Sequence, residues 1–277
     1  MLRSTKDLQN YAIGATDGNV GQVKDFYFDD QAWVIRYLVV DTGSWLSSRK
    51  VLISPISLKS PDWAARTLPA AITREQVKNS PDYDSEKPVS RQHEMQYLGY
   101  YGYPYYWGGI GMWGEGVYPY AMLPGNAHTG LDRGELEAAE AAYSRAEQEH
   151  HRNDDPHLRS CQAVIGYHID AEDGEIGHVE DMIFDEDTWA IRYIVVNTSN
   201  WWLGHKVLVA PAWITAVRWE NETVAVALSR AAIKAAPAYD SAEDLNRERE
   251  SRLYKHYGRT GYWTGDAKPE REHEQEH

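Results

Sequence analysis

This chain of 277 residues writes one unit twice. Asp17 to Pro55 reads DGNVGQVKDFYFDDQAWVIRYLVVDTGSWLSSRKVLISP, and Asp173 to Pro211 reads DGEIGHVEDMIFDEDTWAIRYIVVNTSNWWLGHKVLVAP. The two align without a gap, and about four in ten positions between Ile13 and Asp84 recur as identities. The match extends outward at the same offset. Leu2-Arg3-Ser4 returns as Leu158-Arg159-Ser160, and Pro81, Tyr83 and Asp84 return as Pro237, Tyr239 and Asp240. Tyr101-Gly102 returns as Tyr257-Gly258, and Tyr106-Trp107 as Tyr262-Trp263. A period this long marks a duplicated domain, not a solenoid of roughly 20–50-residue units. The expected organisation is a first domain over 1–84, an aromatic and then helical linker over 85–157, a second domain over 158–240, and a helix with an acidic, disordered tail over 241–277.

Within a repeat the pattern is β. Asp17-Gly18 and Asp173-Gly174 are tight-turn signals, because glycine accepts positive φ. After them, Val20, Val23, Phe26 and Phe28 follow neither a clean period of two nor a helical stripe, which predicts a strand with a bulge. Trp33 to Val40 and Trp189 to Val196 are apolar on both faces and read as central, doubly covered strands. Lys50 to Ile53 and Lys206 to Val209 form a further strand, ended by Pro55 and Pro211. Ile214 to Trp219 and Thr223 to Leu228 read as a closing hairpin. Thr73 and Ser229 are N-cap residues for short helices over 74–78 and 230–234. The fold class expected is mainly all-β, with each copy a small closed barrel of five or six strands.

Charge and cysteine usage narrow the functions. The net charge of -14 argues against nucleic acid and anionic lipid as partners. The charge is uneven: residues 158–240 carry six basic against twelve acidic side chains, whereas 1–84 are balanced. The two copies therefore present different surfaces. A lone cysteine, Cys161, permits neither an internal disulfide nor a multi-cysteine zinc site. With no secretory signal pattern and no apolar run of about 18 residues, the expected location is cytoplasmic.

The duplicated run resembles the PRC-barrel family, the small barrel of the photosynthetic reaction centre H subunit and of the C-terminal part of RimM. The resemblance rests on Asp17-Gly18, Gly21, Val23 and Asp25, on Trp33 to Val40, and on Lys50 to Pro55. Their counterparts are Asp173, Gly174, Gly177, Val179, Asp181, Trp189 to Val196 and Lys206 to Pro211. It covers residues 5–84 and 161–240. It implies a chain that binds and supports partners and is not a catalyst. Unlike the H subunit, this chain shows no membrane helix, and unlike RimM both of its units follow the one pattern.

Candidate sites fall in four places. Tyr101, Tyr103, Tyr105, Tyr106, Trp107, Trp113, Tyr257, Tyr262 and Trp263 lie in stretches dense in tyrosine, tryptophan and glycine. Such side chains bring large contact area at low entropic cost. They clamp the chain's own barrels, contact an external ligand, or form an unstructured connector. Asp25, Arg36 and Lys50, matched by Asp181, Arg192 and Lys206, read as structural ion pairs that set register. The run His150 to His157 holds three histidines and two aspartates, but in a linker it reads as a charged connector and not a metal site. Asp170, Glu172, Asp173 and Glu175 fit no EF-hand spacing and read as a charged turn. Leu136, Ala139, Tyr143 and Ala146 sit at helical spacing within an Ala/Glu-rich helix over 131–150. No phosphate loop, catalytic triad order or zinc-protease motif appears. No cofactor and no metal are expected. The function expected is a non-catalytic scaffold or assembly module that binds proteins, linked to reaction-centre-like complexes. The alternative is a RimM-like ribosome assembly factor acting through a ribosomal protein. The two copies are expected to pair within the chain or through a homodimer.

Overall fold

The computed structural model describes residues 1–82, 89, 91–107, 111–114, 116–123, 157–198, 205–241 and 245–264. The helix expected over 131–150, residues 150–156 of the histidine-rich run, Tyr83, Asp84 and the final acidic tail lie outside the described residues. The chain divides into two compact units, one of residues 1–167 with 179–194, the other of residues 168–178 with 195–277.

The first unit opens with β1 (Leu2–Ser4) and α1 (Thr5–Leu8), followed by β2 (Ala12–Ala15), β3 (Gly18–Asp29), β4 (Val34–Asp41), β5 (Lys50–Ile53) and β6 (Thr67–Pro69). Two helices follow, α2 (Arg74–Lys78) and α3 (Arg91–Tyr101). The sheet runs β5-β4-β3-β2-β6, antiparallel except for the parallel pair β2 and β6. The register shift between Val23 and Asp25 leaves Lys24 as the extra residue on β3, the bulge that the sequence spacing predicts, and the shift between Tyr27 and Phe28 leaves Arg36 as the extra residue on β4. Each adds a residue to one strand only, which returns the next side chain to the interior. Val20, Val23, Phe26 and Phe28 thereby all reach the core. Every residue from Val34 to Val40 on β4 is buried, as a doubly covered strand requires.

Gly21 shows why the repeat keeps glycine at that position. A Cβ there would lie 2.0 Å from the Asp41 carbonyl oxygen, and at Gly177 it would lie 2.2 Å from that of Asn197. The hairpin aspartates act at a distance along the sequence. Asp17 accepts from the Arg74 amide at 2.7 Å and Asp173 from the Arg230 amide at 2.6 Å, so each turn caps a helix. Thr73 and Gln76 complete a capping box on α2.

Two expectations need correction. Trp33 and Trp189 do not begin their strands. Both hold positive φ, 53° and 60°, as the closing residue of the preceding turn. In that conformation each ring packs on the strand before, Trp33 on Phe28 and Trp189 on Phe184, at 5.2 Å between centroids. The sheet is also not a closed ring of ladders. The gap between β5 and β6 is spanned by a 3-10 turn over Pro55–Ser57 and by the single bridge Leu58 to Ala70. Pro55 and Pro69 have no N–H to donate, so a regular ladder cannot form across that seam.

The second repeat follows the same order with one strand more, β12: β7 (Leu158–Ser160), α4 (Cys161–Val164), β8 (His168–Ala171), β9 (Gly174–Asp185), β10 (Ile191–Asn197), β11 (Lys206–Val209), β12 (Ile214–Arg218) and β13 (Thr223–Val226). It ends in α5 (Arg230–Lys234) and α6 (Arg247–His256). Its strands run β11-β10-β9-β8-β13-β12. Strands β12 and β13 form the predicted closing hairpin. The leading strands do not pair within their own repeats. β1 lies antiparallel to β9, with Leu2 opposite Asp185, and β7 lies antiparallel to β3, with Leu158 opposite Asp29.

Candidate functional site

The matched aspartates sit at these crossed strands. The Ser160 hydroxyl donates to Asp25 at 2.5 Å, and the Gln162 amide donates to it at 3.1 Å. The Ser4 and Thr5 hydroxyls donate to Asp181 at 2.5 and 2.9 Å. Each carboxylate also caps its own strand by accepting from the next amide, Phe26 or Met182. Burial raises the Asp25 carboxyl above the usual carboxylate range, while the Ser160 hydrogen bond, two backbone N–H groups and Lys50 pull it back. In the first repeat the expected ion pair of Asp25 with Arg36 and Lys50 is therefore corrected. Asp25 is held by hydroxyl and amide donors from the other repeat, and Lys50 acts on it only through space.

Arg36 serves a different carboxylate. Its guanidinium lies 3.5 Å from Asp29, donates to the Met112 carbonyl at 2.5 Å, and stacks on the Tyr106 ring at 3.9 Å and the Trp113 ring at 4.7 Å. Over it lies Glu94, only 2% exposed, on α3. Glu94 pairs with Arg91 at 3.1 Å and accepts from the Tyr106 hydroxyl. Burial pushes the Glu94 carboxyl up to about 7; Arg91, Tyr106 and Arg36 oppose that rise and Asp29 adds to it. Two guanidiniums and two carboxylates thus share one buried cluster, and each carries a partner of opposite sign.

The aromatic stretch after α3 folds onto the first repeat. The Tyr97 hydroxyl accepts from the Ser54 amide at 3.0 Å, and the Tyr103 and Ser57 hydroxyls lie 2.7 Å apart. Trp113, 1% exposed, donates its indole N–H to the Thr188 carbonyl at 2.9 Å. Tyr101 stacks on Tyr103, and Tyr105 stacks on Trp107. Of the tyrosines and tryptophans expected to meet a partner, Tyr103, Tyr106 and Trp113 are consequently buried by the chain itself. Tyr101, Tyr105 and Trp107 are part-exposed. Among the described residues, the exposed large apolar side chains of the stretch are Tyr100 (41%), Val117 (47%), Tyr118 (39%) and Tyr120 (52%), with Tyr118 and Tyr120 stacked 5.3 Å apart.

The second unit carries a matching flap. Tyr254 of α6 and Tyr257 just after it pack on Trp213, and Trp263 packs on Tyr254. The Tyr262 hydroxyl donates to Glu250 at 2.9 Å, Arg247 pairs with Glu250 at 3.0 Å, and its guanidinium lies 4.2 Å above the Trp263 ring. Arg91, Glu94, Tyr106 and Trp107 recur as Arg247, Glu250, Tyr262 and Trp263. Sequence reasoning caught the aromatic pair and missed the Arg-x-x-Glu on the helix. The signal was present in the shared offset.

The remaining candidates are accounted for locally. Asp170 pairs with Arg218 at 3.3 Å, Glu175 with His168 at 2.9 Å, and Asp173 caps α5. Among the described residues no group of three or more His, Cys, Asp and Glu has the arrangement to hold a metal. Cys161 is buried, and burial raises its thiol well above the ordinary range, the Asp25 and Asp181 carboxylates adding to the rise. His157, at the end of the histidine-rich run, sits beside Asp30 and Gln31. No helix among the described residues is long and apolar enough to cross a membrane.

An uncharacterised protein of Deinococcus radiodurans is 30% identical over 81 residues, which is 29% of this chain and 29% of that one. The alignment thus spans less than a third of that relative's length. The family model described as the PRC-barrel domain matches residues 5–66, the stretch that forms β2 to β5 with its flanking turns. Its match to the first repeat, together with the β-rich architecture, identifies residues 5–66 of this chain as a PRC-barrel domain.

Proposed function

We infer that this chain is a non-catalytic scaffold of two PRC-barrel modules that binds other proteins. The observation that carries this reading is the stacked pair Tyr118 and Tyr120 beside Val117. It stands exposed at the end of an aromatic stretch in which Tyr97, Tyr103, Tyr106 and Trp113 are buried in the chain's own core. Exposed, mutually packed tyrosines are preorganised contact area, and tyrosine is enriched where proteins meet. Apart from the added strand β12, the second repeat keeps the element order of the first, which supports counting it as a second module. The buried polar clusters support a structural role: each carboxylate is already paired, and Cys161 is sealed from solvent. The partners are proteins of reaction-centre-like or ribosomal assemblies, classes the resemblance suggests. Affinity capture from a lysate of the source organism tests the proposal, with Tyr118→Ser/Tyr120→Ser as the paired control. A specific protein retained by the native chain and lost with the variant is the expected result. Turnover in a substrate screen, with equal capture by both chains, would overturn it.

A further inference from the structure

The first unit contains a reciprocal exchange. β1 of the first repeat completes the sheet on β9, and β7 of the second repeat completes the sheet on β3. The same three side chains dock both times. Leu158 is buried and Leu2 half-buried at the start of the strand. Arg3 pairs with Glu186 and Arg159 with Asp30, at 3.1 and 3.0 Å. Ser4 and Ser160 then donate to Asp181 and Asp25, and each serine also accepts from an amide that begins the short helix behind it. The main chain crosses once more in matched fashion. The Ile35 amide donates to the Trp189 carbonyl at 2.9 Å and the Ile191 amide to the Trp33 carbonyl at 2.7 Å. Phe26 and Phe184 face each other beside the joint at 6.5 Å.

We propose that the C-terminal ends of β3 and β9, Tyr27 to Asp29 and Ile183 to Asp185, are strand-addition edges that recognise the segment Leu-Arg-Ser at the head of a partner repeat, so that this chain is a covalently joined strand-exchanged dimer. Strand addition takes its affinity from main-chain hydrogen bonds and its selectivity from side chains at set positions. Here the leucine opens the added strand, the arginine pairs with an acidic turn, and the serine donates to an aspartate. The turn residues that meet the arginine, Asp30 and Glu186, are acidic in both copies despite the difference in overall charge between the repeats. The partner that fits either edge is another copy of the repeat, supplied within this chain by duplication. This holds whether or not the exposed tyrosines capture a further protein.

The test uses the whole folded chain. A site-specific protease sequence, flanked by glycine and serine, is inserted between Asn126 and Ala127 and cut after purification. The two fragments are expected to co-elute in light-scattering chromatography at the mass of the intact chain, 31.6 kDa plus the insert. Reversing both arginines, Arg3→Glu with Arg159→Glu, is expected to raise the fragment dissociation constant at least tenfold. Adding Glu186→Arg and Asp30→Arg is expected to restore it. Circular dichroism of each uncut variant separates weakened pairing from failure to fold. Fragments of the native chain that separate as folded monomers would overturn the proposal. So would pairing that ignores the reversal, or a reversal that the compensating changes do not rescue.

Discussion

Replacing Glu94 by glutamine should remove a pH dependence from folding. The folded carboxyl titrates at about 7 against an ordinary value of 4.5, chiefly because burial penalises its charge. Between those values the folded chain holds a proton on Glu94 that the unfolded chain has released. Stability therefore falls as pH rises from about 4.5 to about 7 and is flat for this group above that. The gap is worth about 3 kcal/mol. The groups facing Glu94 are Arg91, Tyr106, Arg36 and Asp29, and glutamine keeps an oxygen to accept from Tyr106. Urea unfolding, followed by tryptophan fluorescence from pH 5 to pH 8, compares native and variant chains. Subtracting the two isolates Glu94 from Asp25 and Asp30, which burial also raises. The variant should gain about 2.5 kcal/mol on the native chain over that range. A difference that is constant with pH, or that grows toward acid, would refute the argument.

Gly21→Ala should cost at least about 2 kcal/mol, since the added methyl meets the Asp41 carbonyl and the β3–β4 ladder must open to admit it. The check is the midpoint of thermal unfolding, with Gly14→Ala as the milder control because its Cβ meets only the Thr67 side chain at 3.5 Å. Cys161 should resist a thiol reagent in the native chain at pH 8 and react at once in denaturant. Stoichiometric native labelling would contradict its burial and raised pKa.

Much of the local architecture could be read directly. The Asp-Gly turns, the irregular spacing on β3, the doubly apolar β4, the prolines after β5 and β11, and the threonine and serine caps all state a preference that depends on near neighbours. Trp33 was misjudged because its alternation with Ile35, Tyr37 and Val39 imitates a strand, while the turn before it demands positive φ. Glu94 went unremarked because a glutamate on a short, polar helix looks solvated until the Tyr106 segment closes over it.

Asp25 and Asp181 mark the limit most clearly. The repeat alone shows that both positions carry an aspartate beside a long strand, and that Leu-Arg-Ser heads each copy. Two similar edges and two leading Leu-Arg-Ser strands could pair within a repeat or across repeats, so the sequence holds both pairings open. Only the tertiary structure chooses, by sending Ser160 to Asp25 and Ser4 to Asp181. The reason is physical: secondary structure follows from residues close in the chain, whereas the choice between equivalent partners depends on where the connecting backbone can reach and on which pairing satisfies every buried donor and acceptor at once.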